Sequence, residues 1–188
     1  MKSLSFSKIT RSKHAHDLAR FQLIDYSNEA LRDAKRAIFA LQRGDDAQSE
    51  SLLKAAAAAI KNARLHLKNH PGLIAESSFR AAQEEYSEAR IFQSYLQDKF
   101  SVSTDVVNDP DSLLGGLSDA AGEIARHAVL RATEHDRKSI EKAHSTVLKI
   151  VELLAELDLT GSLRSKFDQS KQHLRKIEDI RYDLSRKD

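Results

Sequence analysis

Six glycines and two prolines are the only strong chain-breakers in this sequence, and long stretches contain neither. That scarcity constrains the fold more than any other feature. A β-sandwich or barrel needs a turn signal about every 8–12 residues. Long helices need breakers only at their ends. The chain therefore reads as all-α, and its 188 residues suit a single domain. A hydrophobic content of 40% is enough to build a core, which argues against general disorder. The absence of cysteine excludes a disulfide scaffold, a thiolate metal site and a cysteine nucleophile.

The breakers and caps predict where the helices lie. From about His16 to Arg43 apolar residues recur at helical spacing. Phe21, Leu23, Ile24, Leu31, Ala34, Ile38, Phe39 and Leu41 can form one broad stripe, with Leu18 at its edge. Gly44 is placed to end this helix, and Asp45 or Asp46 to cap a second one running to about Asn69. Pro71 and Gly72 stop the second helix. A third is expected over Ile74 to Lys99, a fourth over Asp111 to Thr133, and a fifth over Asp136 to Leu157. The last opens at Gly161 and Ser162 and runs to about Arg186. The expectation is a single-domain bundle of six to seven long antiparallel helices over residues 15–188. Gly115, Gly116 and Gly122 fall inside the fourth helix, where glycine is costly, so a close approach by another helix or a ligand is expected there.

The net charge of +2, from 30 basic and 28 acidic residues, favours no partner by itself. Its distribution is uneven. Residues 1–14 carry Lys2, Lys8, Arg11 and Lys13 and no acid, and read as a basic arm or a solvated terminus. The longest strongly apolar run, Ala55 to Ile60, falls far short of the ~20 residues of a membrane span. No apolar signal segment precedes His16. A soluble, cytoplasmic protein without a membrane partner is expected.

Few residues carry a chemical signal. No phosphate-binding glycine loop, dinucleotide fingerprint or serine-hydrolase elbow is present. His66 and His70 share a helix face but lack the glutamate of a zinc-hydrolase motif, which favours a solvated helix end. The third helix is more informative. Phe79, Ala82, Tyr86, Ala89, Phe92, Leu96 and Phe100 share an apolar face, Glu85 falls within it and Glu88 lies at its edge one turn on. A carboxylate there must be paired, protonated or bound to a cation. Two carboxylates at this spacing can hold Mg²⁺, although spacing alone favours a salt bridge from a neighbouring helix. Glu123 lies among small residues and is either a further carboxylate of such a site or the partner of a basic side chain. Ile150, Val151, Leu154 and Leu157 mark the core stripe of the fifth helix, which leaves Glu152 and Glu156 facing solvent or an interface.

Four segments together resemble the translin family, in particular the branch of translin-associated factor X and its archaeal relatives. They are residues 27–43 (SNEALRDAKRAIFALQR), 84–93 (EEYSEARIFQ), 111–126 (DSLLGGLSDAAGEIAR) and 162–185 (SLRSKFDQSKQHLRKIEDIRYDLS), in family order. The resemblance implies a translin-like α-α superhelix assembled into an octameric shell that binds RNA or single-stranded DNA. It also implies Mg²⁺- or Mn²⁺-dependent endoribonuclease activity in the branch that keeps its acids. Glu85 and Glu88 stand where that branch has its catalytic, metal-binding pair. The branch's third acid is an Asp on the next-to-last helix. No Asp matches it here, and Glu152 is the nearest acid, with Glu156 and Glu123 as alternatives. Glu123 also matches a glutamate found in inactive branches, which favours a structural role for it. The implied alternative is a non-catalytic nucleic-acid-binding oligomer, and a second, translin-like subunit is the alternative assembly. In either case bases must bring the backbone in. The candidates are Lys13, Arg20, Lys35, Arg36, Lys171, Arg175 and Lys176.

Overall fold

The structure is a computed structural model that describes residues 6–186. Six helices fill most of it: α1 (Phe6–Gln42), α2 (Asp46–Asn69), α3 (Ser77–Leu96), α4 (Pro110–Thr133), α5 (Arg137–Ala155) and α6 (Gly161–Ser185). A 3-10 turn at Pro71–Leu73 separates α2 from α3, and no strand occurs among the described residues. No described helix is long and apolar enough to cross a membrane.

Local chemistry sets the helix ends. Gly44 takes φ +75°, a left-handed conformation that glycine adopts without steric cost, and closes α1. Asp45, Asp109 and Asp136 then begin α2, α4 and α5 in the same way, each carboxylate accepting a backbone N–H three residues on. The ends of α3 and α4 carry no glycine signal: Asp98 and His135 adopt φ 57° instead. At its other end α1 begins at Phe6, well before His16. Residues 6–16 are all exposed, so no tertiary packing imposes an apolar pattern on these turns. Residues 1–5 of the basic arm lie outside the described residues.

The short connections make sequential helices neighbours. α1 packs on α2 and α3, while α4 packs on α5 and α6. These two three-helix halves meet where α3 lies against α4. Small residues let the helices come close: Ala30, Ala34 and Ala37 of α1 and Ala56 and Ala63 of α2 are fully buried. Around them pack Leu23, Leu53, Ile60, Phe92, Ile124, Ile140 and Ile150, each at most 1% exposed. Full burial of such a side chain contributes roughly 1.5–3 kcal/mol.

The α1 stripe is narrower than expected. Leu23, Ala34, Ile38 and Leu41 are buried, but Leu18, Phe21 and Phe39 are largely exposed. Phe21 and Phe39 each sit two positions from a buried seam residue, about 200° around the helix. Phe100 and Leu157 also leave the core, because α3 ends at Leu96 and α5 at Ala155.

Candidate functional site

The α3–α4 seam gathers charge. Gly116 of α4 sits against the α3 backbone so closely that a Cβ there would lie 2.6 Å from the Glu84 carbonyl oxygen and 2.8 Å from the Glu88 nitrogen. A Cβ at Gly115 would lie 2.9 Å from Cδ of Glu84. The glycines expected to permit close approach therefore do so beside the third-helix acids. Gly122 does the same for α6, where a Cβ would lie 3.1 Å from Nε2 of His173.

Glu84, Glu85 and Glu88 come from α3, and Asp119 and Glu123 from α4. Lys166 of α6 sits between the two sets: its ammonium is 3.2 Å from Oε2 of Glu84 and donates a hydrogen bond to Asp119. From α1, Lys35 reaches within 3.8 Å of Glu85, and Gln42 donates to Glu123 at 2.6 Å. The Glu88 side chain has no hydrogen bond or ion pair among the described residues. Burial, reinforced by the negative charges of Glu85, Asp119 and Glu123, pushes its carboxyl up to about 9. Burial raises Glu85 as well, although Lys35 pulls it down. Asp119 is raised by burial against the pull of Lys166. Burial acts to lower Lys166, but its bonds to Asp119 and Glu84 outweigh this and hold it above the ordinary lysine range. His173 is lowered, by burial and by Lys176.

Among the described residues no three acids or histidines stand close enough together to hold a metal ion outright. The donor set nevertheless fits a hard divalent cation. Glu88 is a half-buried carboxyl without a partner, facing the negative charge of three other acids, and a cation would relieve that repulsion. Glu85 and Glu88 are the pair that could hold it, with Asp119 and Glu123 adding negative charge nearby.

The expected site residues thus separate. Glu85, Glu88 and Glu123 are brought into one electrostatic neighbourhood. Glu152 and Glu156 are exposed at the end of α5, and the acids acting on Glu85 and Glu88 come from α4 instead. Asp119 was not singled out in the sequence, though a signal for it exists. Gly116, Asp119 and Glu123 recur at helical spacing on one face of α4, so the close-approach face carries the acid. Lys166, His173 and Gln42 carried no comparable signal.

The histidine pair is structural. His66 Nε2 lies 2.8 Å from the Ala19 carbonyl and joins α2 to α1, with the His70 ring 4.6 Å from its own. Of the expected basic residues only Lys35 touches the acid cluster. Arg20 is engaged by Glu76 at 2.7 and 3.3 Å, and Lys13 by Asp17. Arg36, Arg175 and Lys176 are exposed, while Lys171 pairs with Asp168 and covers the Phe167 ring.

A family model described as Translin family matches residues 19–187. Solved structures share the fold over nearly the whole chain. A structure of AfC3PO with duplex RNA and a crystal structure of AfC3PO each match with TM-score 0.88 at 22% identity, covering 97% of both chains. A crystal structure of apo-NeC3PO matches with TM-score 0.85 at 19% identity, covering 96% of this chain and 97% of that one. No curated protein matches.

Proposed function

This chain belongs to the Translin family, and on that premise we propose that it is a divalent-metal-dependent endoribonuclease that cuts RNA bound within a homo-oligomeric, octameric shell. The observation that carries the reading is the α3 acid pair. Glu85 and Glu88 are held half-buried against Asp119 and Glu123, and Glu88 has no partner of its own. A plain structural pair would have both acids neutralised from neighbouring helices, whereas here Lys35 of α1 approaches Glu85 alone and no base pairs with Glu88. Lys166 instead serves Glu84 and Asp119. The similarity to an AfC3PO structure that contains duplex RNA supports RNA as the bound polymer.

In this mechanism Glu85 and Glu88 would hold Mg²⁺ or Mn²⁺, with Asp119 and Glu123 beside them. Such a cation, when bound, would supply Lewis-acid chemistry for activating water and offsetting charge at a phosphate. Burial of the acids at the seam keeps bulk water from screening them. Glu88 must give up its proton before it can act as a ligand. Gln42 fixes Glu123 in place by donating to its carboxylate. Lys35, beside Glu85 and half exposed, can meet an approaching phosphodiester and offset repulsion from the acids.

The test is cleavage of a labelled single-stranded RNA with Mg²⁺ and with EDTA, for the wild type and the Glu85→Gln/Glu88→Gln double variant. Cleavage confined to the wild type with Mg²⁺, with RNA binding retained by the variant, is the expected result. Undiminished cleavage by the double variant would exclude this site. The competing reading, a non-catalytic RNA- or single-stranded-DNA-binding oligomer, is favoured by the engagement of Asp119 by Lys166. It requires binding without Mg²⁺-dependent cleavage by the wild type.

A further inference from the structure

A second polar site lies near the N-terminal end of α3. An open groove of about 810 Å³ runs between α2, the 3-10 turn, α3 and the start of α4. Two cations of α2 line it, Arg64 and Lys68. Arg64 donates to Oδ1 of Asn108 at 2.7 Å and to Oε1 of Gln83 at 3.3 Å, both neutral groups. No carboxylate pairs directly with its guanidinium; burial pulls it down against Asp109, which also lines the groove and is engaged in capping α4 through Ser112. Lys68 is exposed and has no ion pair among the described residues. Both amide oxygens are taken by Arg64, so the amide N–H₂ groups of Gln83 and Asn108 remain as further donors. The floor and rim are apolar, with Leu67 and Phe79 buried and Pro71 and Ile74 exposed, Ile74 at 66%.

We propose that this groove is a nucleotide-binding subsite, with a phosphate between Arg64 and Lys68 and the base lying on the Pro71–Ile74 ledge. Two cations with amide donors match a phosphate's several acceptor oxygens, and an apolar ledge suits the flat face of a base. An anion without a ring would leave that ledge unused. The same chemistry belongs to a free mononucleotide and to a nucleotide within a strand. Arg80 on the groove wall, Glu84 and Glu88 follow one another at four-residue spacing along α3. The groove thus lies about 12 Å along that helix from Glu88. A strand anchored here would run toward the acid cluster, and in that respect the inference rests on the RNA-binding reading but not on catalysis.

The experiment is calorimetric titration of the full chain in EDTA with uridine 5′-monophosphate, inorganic phosphate and an oligouridylate. The absence of divalent metal separates failure here from failure of the nuclease reading. The expected result is one nucleotide site per chain, with the nucleotide bound at least about tenfold more tightly than phosphate. Lys68→Glu should weaken nucleotide binding by about tenfold or more. Ile74→Ser should bring it close to the phosphate level. Both side chains are exposed, and helicity by circular dichroism verifies the fold of each variant. Tighter binding of the oligonucleotide assigns the groove to a strand, and tighter binding of the mononucleotide to a free nucleotide. Either supports the proposal. Equal affinity for phosphate and nucleotide, or nucleotide binding indifferent to both substitutions, would overturn it.

Discussion

In the proposed nuclease, cation binding at the seam would depend on ionising Glu88, and that step is costly. Its carboxyl is raised from 4.5 to about 9, first by burial and then by the neighbouring acids. At 1.36 kcal/mol per decade, that rise corresponds to about 6 kcal/mol of preference for the protonated form. At pH 7 only about one chain in 100 carries the free carboxylate, a penalty of about 2.7 kcal/mol on any ligand that requires it. A cation held by Glu88 must therefore expel its proton. Mg²⁺ affinity is expected to rise by about tenfold per pH unit from pH 7 to 9 and then to level off. Titration calorimetry in two buffers of different ionisation heat should show release of about one proton per bound cation at pH 7. In Glu88→Gln the pH dependence should largely disappear. Stability runs in the opposite direction to cation affinity. The folded chain binds the extra proton between about 4.5 and 9, so this contribution is complete below pH 4.5 and is lost as pH rises toward 9. Affinity for Mg²⁺ that is flat between pH 7 and 9, without proton release, would refute the reasoning. It would mean that Glu88 is already ionised or is not a ligand.

Gly116→Ala should destabilise the chain by about 1–3 kcal/mol in urea unfolding, because its Cβ meets α3 backbone. Gly72→Ala, with nothing within 4 Å, is the control that should stay near wild type. Lys166→Ala leaves Glu84 and Asp119 without their shared cation. Its loss of stability should be larger at pH 8 than at pH 5, because burial raises the Asp119 carboxyl and lower pH favours its neutral form, and thermal melts at the two pH values compare them. His66→Ala should cost about 1 kcal/mol through the lost bond to the Ala19 carbonyl. Zn²⁺ should leave the wild-type melting temperature unchanged, and a marked rise would restore a metal role to the histidine pair.

Much of the fold was legible because its punctuation is local. Gly44, Asp45, Pro71 and Gly161 act within a turn of themselves, and the helices begin or end beside them. The misplaced parts depend on what lies across from each residue. The first turns of α1 pack on nothing and so left no apolar period to read. Phe21 and Phe39 look like core by composition, but the seam is set by alanines that admit α2 and α3. The site divides in the same way. Glu85 and Glu88 were legible as acids against an apolar face, and the glycines of α4 marked the contact. Which acids and bases complete the cluster is decided by the crossing of α3, α4 and α6. Asp119 and Lys166 are 47 residues apart in sequence, and no periodicity within one helix links them.

The acids gathered at the seam belong to opposite halves of the molecule, α3 closing the first and α4 opening the second. Their separation is therefore a rigid-body coordinate, fixed by how deeply Gly116 lets one helix bed into the other. Of the residues from 97 to 109 that join the halves, Val106 and Val107 pack into the core, while 97–102 are exposed. Insertions in that exposed stretch should leave the gap between the acids intact, whereas a single methyl group at position 116 widens it. The seam acts as a caliper whose setting is one missing side chain.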